Sequence, residues 1–591
     1  MAIDMNPEAR PHEVTTHSVT QEAYQALDKL VAFCTELPEE FILHRNNVVF
    51  FTDGLKTDTV HFPCPLREQE AMLAIKAVEA CAAAAIADLK ADRAGTLQHN
   101  HDRQIMVDAD KASCFLMSAY LTNVDGMGKQ HVDIMSKVPD TDIHQAQSIL
   151  YRRLSANLYE TKNPGEYYHT HGSLEASTTL EMLGLPSHNP QMTDYRKCID
   201  TIEAAVKTHT IHELDRMNVE KKQAGIFALT WEQFQQTPHG EALVQLPPFT
   251  VEPSEQWTRP IPFEPTGSPY ALRGIKVLEL CRIIAGPTIG RSLAAHGATV
   301  LKVTSSSLPD VSFFQVDVNT GKHTANINLK TASGRAVFDK LLADADVIID
   351  GYRPGALARL GYSQKKLMRI ATRRNRGFVY VAEDCFGGST GTKSGTVPGA
   401  EWAHRAGWQQ IADCVSGVAW AQGQFMGLDE PVVPPFPMSD YGTGGLGCVA
   451  AMTGLYNRAT LGGSWICRTS LVQYDVFLQK LGPLPDFEQQ RLRKLHDRAF
   501  FALRHSDSVD EVGRRALASL KRVAGHLFGP DLMVSAHSIG FNGVVAWPRE
   551  AIRIEGLKVG HVRPPRPNGF DAARWDDKEE WETDEKLAMA V

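Results

Sequence analysis

The feature that most constrains the fold of this sequence is a series of apolar segments that begins at Gly274. Each segment is almost continuously hydrophobic, which is typical of strands that are buried on both faces of a parallel sheet. Helical segments such as 332–343 separate them, and this alternation predicts βαβ units. Ligands of such sheets bind beyond the carboxyl ends of the strands. The predicted strands are residues 274–280, 297–303, 344–350 and 378–382.

A second stretch, residues 434–447, combines prolines, one carboxylate and glycines. The prolines keep the chain extended before Asp440, and a helix-compatible segment, 448–455, follows the glycines. A carboxylate at a helix start meets free backbone N–H groups and the positive end of the helix dipole. We therefore expect Asp440 to be ionised and accessible to a substrate. The structural alternative is an Asp that only caps the helix.

The glycines of this stretch also match a dinucleotide-binding pattern, Gly442-x-Gly444-x-x-Gly447. That pattern functions directly after a strand, within a βαβ unit, whereas here prolines and Asp440 precede it. We therefore reject a nicotinamide site and predict that the glycines clear space around Asp440.

Composition argues against several classes of function. The 591 residues include 61 Lys and Arg against 69 Asp and Glu, a net charge of −8, so nucleic acid is not an expected partner. The 10 cysteines form no Cys-x-x-Cys pair, which argues against disulfides and a zinc site. We see no membrane-spanning apolar segment and no secretory signal, so we expect a cytoplasmic protein without a membrane partner.

Three histidine pairs invite a metal-binding interpretation. None has a third ligand close in sequence, and isolated pairs are usually structural or exposed, so we predict no metal site. The pairs are His169 with His171, His209 with His212, and His99 with His101 beside Asp102.

Several segments together resemble one family of enzymes. Residues 274–280 followed by 285–287 are similar to its opening strand and turn, and Asp440 stands where the family has its single catalytic aspartate. The other matching segments are 297–303, 321–322 with 326–330, 352–355 with 359–361, and 462–465 with 468–471. The family is the family III CoA-transferases (CaiB/BaiF), which include formyl-CoA transferase, carnitine CoA-transferase and the α-methylacyl-CoA racemases. The resemblance is specific over residues 274–480.

The resemblance implies an enzyme that moves CoA between an acyl-CoA thioester and a carboxylic acid through an aspartyl-CoA intermediate on Asp440. Coenzyme A or acyl-CoA is then a substrate, and no cofactor is permanently bound. By position alone, backbone N–H groups near Gly442, Gly444 and Gly445 are candidate donors to an oxyanion.

The resemblance also predicts the residues that contact CoA. Lys302 and Lys330 are expected to neutralise its phosphates as point charges, and Arg282 and Arg359 to add bidentate contacts. The full predicted set is Arg282, Ile283, Ala285, Lys302, Val303, Leu329, Lys330, Tyr352 and Arg359.

The first half of the chain resembles the same family in a different order. The sequence pattern of this half predicts a long buried helix over 68–92 and a strand over 104–108. Superposing Cys81 on Cys448 puts Leu73 at the position of Asp440, so this copy has no nucleophile. Members of the family interlock as homodimers, with the active site between the large domain of one subunit and the small domain of the other. We therefore expect a homodimer or an intrachain pseudo-dimer.

The predicted fold class is α/β: a Rossmann-like parallel-sheet CoA-binding lobe, a small α+β domain, and a degenerate partial repeat in the N-terminal half. The predicted domains are 1–140 (degenerate half-repeat of the large domain), 141–250 (small-domain-like α+β), 251–270 (Pro-rich linker), 271–480 (CoA-binding lobe with the catalytic Asp) and 481–591 (C-terminal helical and return segment with an acidic tail).

Two alternative functions stay open. An acyl-CoA racemase or epimerase of the same family exchanges an α-proton with a His as well as the aspartate. Counting back from Gly417 puts Trp408 at that His position, and indole cannot carry the proton, so CoA transfer is favoured. The other alternative is a non-catalytic CoA-binding protein, against which the retained Asp440 argues. The sequence does not identify the two acids.

Overall fold

The computed structural model describes residues 17–52, 58–95, 103–389 and 396–575. The pair His99 and His101 with Asp102, and the acidic tail at 576–591, lie outside the described residues. Within them, no helix is both long enough and apolar enough to cross a membrane.

Residues 17–140 are organised around one long helix, α3 (Glu68–Arg93). Its alanine runs favour a helix, and most of its residues are buried. The strand β2 (Ile105–Asp108) follows, and both predictions for this region are confirmed. The other elements are α1 (Val19–Phe33), α2 (Glu39–His44), β1 (Val48–Phe51), α4 (Ala109–Leu116), α5 (Ser118–Leu121), β3 (Asn123–Val124) and β4 (Met127–Gly128).

Residues 141–243 form a small α+β unit around the antiparallel hairpin of β5 (Asn157–Glu160) and β6 (Tyr167–Thr170). β7 (Ile226–Phe227) extends this hairpin to three strands. The surrounding helices are α6 (Leu150–Arg153), α7 (Ser177–Met182), α8 (Tyr195–Val206), α9 (Ile211–Lys221), α10 (Trp231–Gln235) and α11 (Pro238–Leu243).

Residues 249–481 contain the largest sheet. Their elements are β8 (Phe249–Pro253), β9 (Lys276–Leu280), α12 (Ala285–Ala295), β10 (Thr299–Thr304), α13 (Phe314–Val318), β11 (His323–Asn326), α14 (Ala332–Asp344), β12 (Val347–Asp350), α15 (Ala356–Arg359), α16 (Gln364–Arg373), β13 (Val379–Asp384), α17 (Gln409–Val415), α18 (Val418–Phe425), α19 (Met438–Thr460), β14 (Trp465–Ser470) and α20 (Leu471–Leu481).

Seven strands of the described residues form this sheet in the order β11-β10-β9-β12-β13-β14-β8. All are parallel except β8, which runs antiparallel beside β14, so the predicted mixed α/β architecture is confirmed. Residues 251–253 of the predicted linker belong to β8. Residues 285–287, predicted to turn the chain, form the first turn of α12.

The sheet separates two hydrophobic layers because side chains alternate along each strand. Val277 and Ile349 face the layer formed with α3, α12 and α19. Leu278 and Ile348 face α14 and α16 on the opposite side. Helices that connect parallel strands run antiparallel to them, so α12 and α19 begin at the carboxyl edge of the sheet.

Residues 482–575 pair with strands of the regions that precede them in the chain. β17 (Ile552–Ile554) pairs with β2, and β16 (Gly543–Pro548) pairs with β3. A bridge between Ala325 and Asp571 covers the β11 edge of the large sheet. The remaining elements are α21 (Asp486–Leu495), α22 (Arg498–Phe501), α23 (Val509–Val523) and β15 (Met533–Ser538).

Candidate functional site

Asp440 is the third residue of α19 and lies at the carboxyl edge of the large sheet. It lines a cavity of about 360 Å³ and is only partly buried. Its backbone N–H donates to Oε1 of Gln409 at 3.1 Å. Among the described residues, none donates a hydrogen bond to its carboxylate or forms an ion pair with it. The backbone thus holds Asp440 in place while its side chain faces the cavity.

The protonation of Asp440 differs from the sequence prediction. Pro437, rather than Asp440, is the N-cap residue of α19. Burial raises the pKa of Asp440 well above its ordinary value, and the neighbouring charge of Asp413 raises it further. The expectation that the helix start keeps Asp440 ionised is therefore wrong, because its surroundings favour the neutral carboxyl group.

Three cavities meet in series around Asp440. The central cavity is the one of about 360 Å³ that Asp440 lines. Arg282, Tyr352 and Arg353 connect it to a strand-end cavity of about 420 Å³ beyond β10. On the opposite side, Asp440 and Trp408 separate it from an inner cavity of about 100 Å³. Together the cavities form one groove with Asp440 near its inner end.

All but one of the residues predicted to contact CoA line this groove. The Arg282 guanidinium lies 5.5 Å from the centre of the Tyr352 ring and donates to the carbonyl oxygen of Pro309 at 2.6 Å. Lys330 is exposed at the strand-end cavity. The predicted residues in the groove are Ile283 and Ala285 at the central cavity, Val303, Leu329, Lys330 and Arg359 at the strand-end cavity, and Arg282 and Tyr352 at both.

Lys302 is the exception. Its side chain is 1% exposed, and its Nζ donates to Oδ1 of Asn319 at 2.8 Å. Neighbouring residues of a strand point to opposite faces, and Val303 is the one that faces the strand-end cavity. The prediction that Lys302 neutralises a CoA phosphate is therefore wrong.

The glycines after Asp440 also have a different role from the one predicted. Gly442, Gly444 and Gly445 lie inside α19, where their N–H groups are used by the hydrogen bonds of the helix. A Cβ at Gly442 would lie 2.0 Å from the ring of Tyr474. At Gly444 and Gly445 it would meet side chains of α12 and α3 at 2.5 and 2.7 Å. These residues allow close helix packing, and the assignment of their N–H groups to an oxyanion is wrong.

Trp408 lies where the central and inner cavities meet. Its indole Nε1 donates to Oγ of Ser173 at 2.9 Å, and its ring stacks on His171 with the centroids 5.7 Å apart. Burial lowers the pKa of His171 well below its ordinary value, so this imidazole is neutral. His171 stacks in turn on His169, at 5.6 Å. Of this pair, His171 thus lines the inner cavity and His169 packs behind it.

Two acidic residues at the end of β13 join Asp440 in the central cavity, and the sequence analysis did not select them. Burial raises the pKa of Glu383 well above its ordinary value, and the charges of Asp384 and Asp440 raise it further. Burial also raises the pKa of Asp384, to about 6. Both residues directly follow the predicted apolar strand 378–382, at the edge of the sheet where ligands bind. This position is the sequence signal that could have identified them.

One residue of the four between β9 and α12 is conformationally strained. Ile283 has a φ of 72°, a left-handed conformation that is costly for a β-branched residue. It lines both the central and the inner cavity. Strain of this kind persists only where the surrounding structure imposes it, and it is concentrated at functional sites.

The small α+β unit supplies one wall of the central cavity. This wall, which comes from the same chain as Asp440, comprises His144, Ser173, Glu175, Thr178 and Gln223. These residues lie mostly in loops and at helix ends, so no periodic sequence pattern marks them.

Comparisons with known proteins agree with this geometry. The family model described as CoA-transferase family III matches residues 272–498. The acetyl-coenzyme A transferase nodX of Hypoxylon pulicicidum is 32% identical over 491 residues, which cover 80% of each protein. An acyl-CoA transferase of Gibberella moniliformis is 32% identical over 383 residues, 64% of this chain and 65% of that protein. Formyl-CoA:oxalate CoA-transferase of Escherichia coli is 26% identical over 236 residues, 38% of this chain and 52% of that protein.

Among solved structures, a CAIB/BAIF family protein from Brucella suis matches 51% of this chain and 97% of its own chain, with 21% identity and a TM-score of 0.35. The sequence relationship is the stronger finding, because the acetyl-coenzyme A transferase aligns over 80% of both proteins. The chain belongs to the CoA-transferase family III.

Proposed function

We propose that this enzyme moves CoA from an acyl-CoA thioester to a carboxylic acid through an aspartyl-CoA thioester on Asp440. The observation that carries the proposal is the Asp440 side chain, whose oxygens accept no hydrogen bond from the described residues and which faces the central cavity of about 360 Å³ in the groove. A carboxylate held in this way is a nucleophile that needs no other interaction to be broken before it attacks.

The proposed reaction has two symmetrical halves. The Asp440 carboxylate attacks the acyl carbonyl carbon, and the C–S bond breaks to give a mixed anhydride and CoA thiolate. The thiolate then attacks the Asp440 carbonyl carbon, which releases the first acid as a carboxylate and leaves aspartyl-CoA. The acceptor carboxylate attacks the aspartyl thioester, and the thiolate attacks the acceptor carbonyl of the new anhydride. The new acyl-CoA leaves, and Asp440 is again a carboxylate.

The groove suggests how CoA is oriented. Lys330 and Arg359 at the strand-end cavity provide the positive charge that CoA phosphates require. Arg282 and Tyr352 lie between that cavity and the central one, where the pantetheine arm would pass. The thioester then arrives beside Asp440, and the acyl group points to the inner cavity.

Glu383 is the group best suited to replace the glycine N–H groups as a donor. Burial and the neighbouring carboxylates raise its pKa, which favours the protonated form, and in that form it can donate a hydrogen bond to an oxygen on which negative charge develops. Asp440 requires the opposite state, because only its ionised form attacks. Transfer should therefore become faster as the pH rises through the raised pKa of Asp440.

The inner cavity, at about 100 Å³, is the smallest of the three around Asp440, which favours a small acyl group. The fungal relative is named an acetyl-coenzyme A transferase, and we propose acetyl-CoA as the first donor to test.

The wall contributed by the small α+β unit supports an intrachain pseudo-dimer. His144, Ser173 and Gln223 face the large sheet across the central cavity within one chain. Residues 1–250 would then provide the contacts that a second subunit provides in an interlocked homodimer. Analytical ultracentrifugation of an active sample tests this point, because a fully active monomer requires the site to be complete in one chain.

Trapping of the intermediate tests the proposal. The wild-type enzyme and Asp440→Asn are incubated with acetyl-CoA, quenched with hydroxylamine or borohydride, and analysed by intact and peptide mass spectrometry. We expect a hydroxamate or a reduced side chain at residue 440 in the wild type alone. If no adduct forms but deuterium from the solvent enters the α-carbon of a branched acyl-CoA, the racemase alternative is correct. CoA binding without either reaction identifies a non-catalytic CoA-binding protein.

A further inference from the structure

Three side chains that are far apart in the sequence converge on one point outside the groove. Nε2 of His61 lies 3.8 Å from Oδ1 of Asp110, and Nε2 of His526 lies 3.5 Å from the same oxygen. The potential ligand atoms of the three residues all lie within 4.8 Å of one another. The two imidazole rings are 5.0 Å apart, at 68° to each other. Two imidazoles and one carboxylate are the donor set of many zinc sites.

Two of these ligand atoms are buried without a hydrogen-bond partner. The side chains of His61 and Asp110 are each 8% exposed. Nε2 of His61 and Oδ1 of Asp110 find no hydrogen-bond partner among the described residues. Leaving a buried polar atom unsatisfied is destabilising, so a pair of such atoms aimed at one point needs an explanation.

The distances exclude direct hydrogen bonds, which require about 2.7–3.2 Å between the heavy atoms. They fit a shared ion better. Zinc bonds of about 2.0–2.2 Å to nitrogen and oxygen place the ligands of a tetrahedral site about 3.3 Å apart. Shifts of roughly half an ångström or less would bring the two separations from Asp110 to this value, and the two imidazole nitrogens, which lie within 4.8 Å of each other, would approach by up to about 1.5 Å.

We propose that His61, Asp110 and His526 bind a divalent transition-metal ion of the zinc class, with water as the fourth ligand. The side chain of His526 is 37% exposed, so this side of the site is open to water and to an entering ion. The carboxylate supplies one negative charge, and neutral imidazoles supply the other two donors. The three cavities of the groove include none of these residues, so the ion has a structural role rather than a role in CoA transfer.

Contacts around the cluster already hold its ligands in place. The backbone N–H of His61 donates to Oε1 of Gln69 at 2.7 Å, and Nε2 of His496 lies 2.9 Å from the carbonyl oxygen of His61. Asp110 lies in the first turn of α4. His526 lies in the short 3-10 helix Gly525–Phe528. Such second-layer contacts orient ligands before the metal binds.

The ion would join the first and last parts of the chain. His61 and Asp110 flank the long helix α3, whereas His526 follows α23 and precedes the strands that complete the N-terminal sheets. A metal that binds only the folded chain stabilises it by mass action. The expected consequence is a melting temperature that depends on zinc and on the chelator in the buffer.

The experiment uses the full-length protein stripped with a chelator and then titrated with Zn²⁺ and with Co²⁺. Binding is followed by calorimetry, by the visible absorption of tetrahedral Co²⁺ and by thermal unfolding. We expect one ion per chain and a higher melting temperature when it binds. His526→Ala and the isosteric Asp110→Asn should weaken affinity by more than about 100-fold and abolish the cobalt band.

His131→Ala is the matched control, because His131 also lies beside an aspartate, Asp133 at 4.0 Å, but is 46% exposed. It should leave affinity and spectrum unchanged. The proposal is overturned if the stripped wild type binds neither ion, if His526→Ala binds as tightly as the wild type, or if the control loses the same affinity. His526 is partly exposed, so its variant should fold even if Asp110→Asn does not.

Discussion

The helices α3 and α19 pack against each other in the core, and each has a carboxylate at its third position. Glu70 of α3 is 0% exposed, and its Oε1 lies 2.7 Å from Nε2 of His17. Asp440 of α19 has no side-chain partner among the described residues and lines a cavity. The same position in two neighbouring helices thus gives a carboxylate paired with a histidine in one case and a carboxylate that faces a cavity in the other. The difference lies in what surrounds the helix start.

The two helices also differ in how they approach their neighbours. α3 is rich in alanine, and its buried charges form a network in which Lys76 contacts Glu79 at 3.0 Å and Glu79 contacts His296 at 2.9 Å. α19 uses glycines instead, which admit the Tyr474 ring and side chains of α12 and α3. The glycines let neighbouring helices approach the start of α19 closely without placing a side chain of α19 itself between them.

The largest effect is expected from replacing each of the two carboxylates in turn by its amide. Asp440→Asn should reduce transfer by at least about 10⁴-fold, since it removes the nucleophile, while the melting temperature stays at or above that of the wild type. Glu70→Gln should keep the transfer rate within about twofold and lower the melting temperature, since it weakens the contact with His17. Single-turnover assays and thermal unfolding measure both. Equal losses of activity in the two variants would remove the distinction between the helices.

Lys76→Met tests the charge network of α3. Lys76 is 0% exposed and also lies 3.6 Å from Glu550, so its loss removes the lysine charge from two buried carboxylates and leaves Glu79 with His296 and Glu550 with His561. The free energy of unfolding should fall by about 3–5 kcal/mol, with little change in the KM for acyl-CoA.

The matched control for that variant is Lys207→Met, whose ion pair with Glu160 is 2.8 Å long but involves a lysine that is 43% exposed. Denaturant unfolding should show a change of less than about 1 kcal/mol here. A large effect at Lys207, or none at Lys76, would show that burial does not decide the strength of these pairs.

Exchanging glycine and alanine between the helices should have an intermediate effect. Gly442→Ala puts a methyl group 2.0 Å from the Tyr474 ring and should cost about 1–3 kcal/mol of stability. Ala80→Gly in α3 adds backbone freedom and removes a buried methyl group, at a cost of about 1 kcal/mol. Denaturant unfolding compares them. If Gly442→Ala is neutral, the close approach of α19 to its neighbours is not required.

The smallest expected effect is a change in pH dependence. The charge of Asp413 raises the pKa of Asp440, so Asp413→Asn should lower that pKa and increase the ionised fraction at lower pH. The acidic limb of the pH profile of kcat/KM should move to lower pH. An acidic limb that does not move, or that moves to higher pH, contradicts the assignment.

Much of the large sheet was predictable because its signals are local. The apolar segments at 274–280 and 378–382 mark strands without reference to any partner, and the family resemblance then identified the enzyme class. The role of Lys302 was not predictable in the same way. The pleat shows that Lys302 and Val303 face opposite sides, but only the position of the strand-end cavity decides which side binds a ligand.

The sequence by itself determined the βαβ alternation, the family and the position of Asp440, because periodicity, proline and glycine act over a few residues. Only the tertiary structure revealed the raised pKa of Asp440, which depends on burial and on Asp413. Only the tertiary structure places Glu383 in the central cavity. Only the tertiary structure, likewise, places the wall of the small α+β unit opposite the sheet. These properties arise from contacts between residues that are distant in the chain, and a linear pattern contains no measure of such distances.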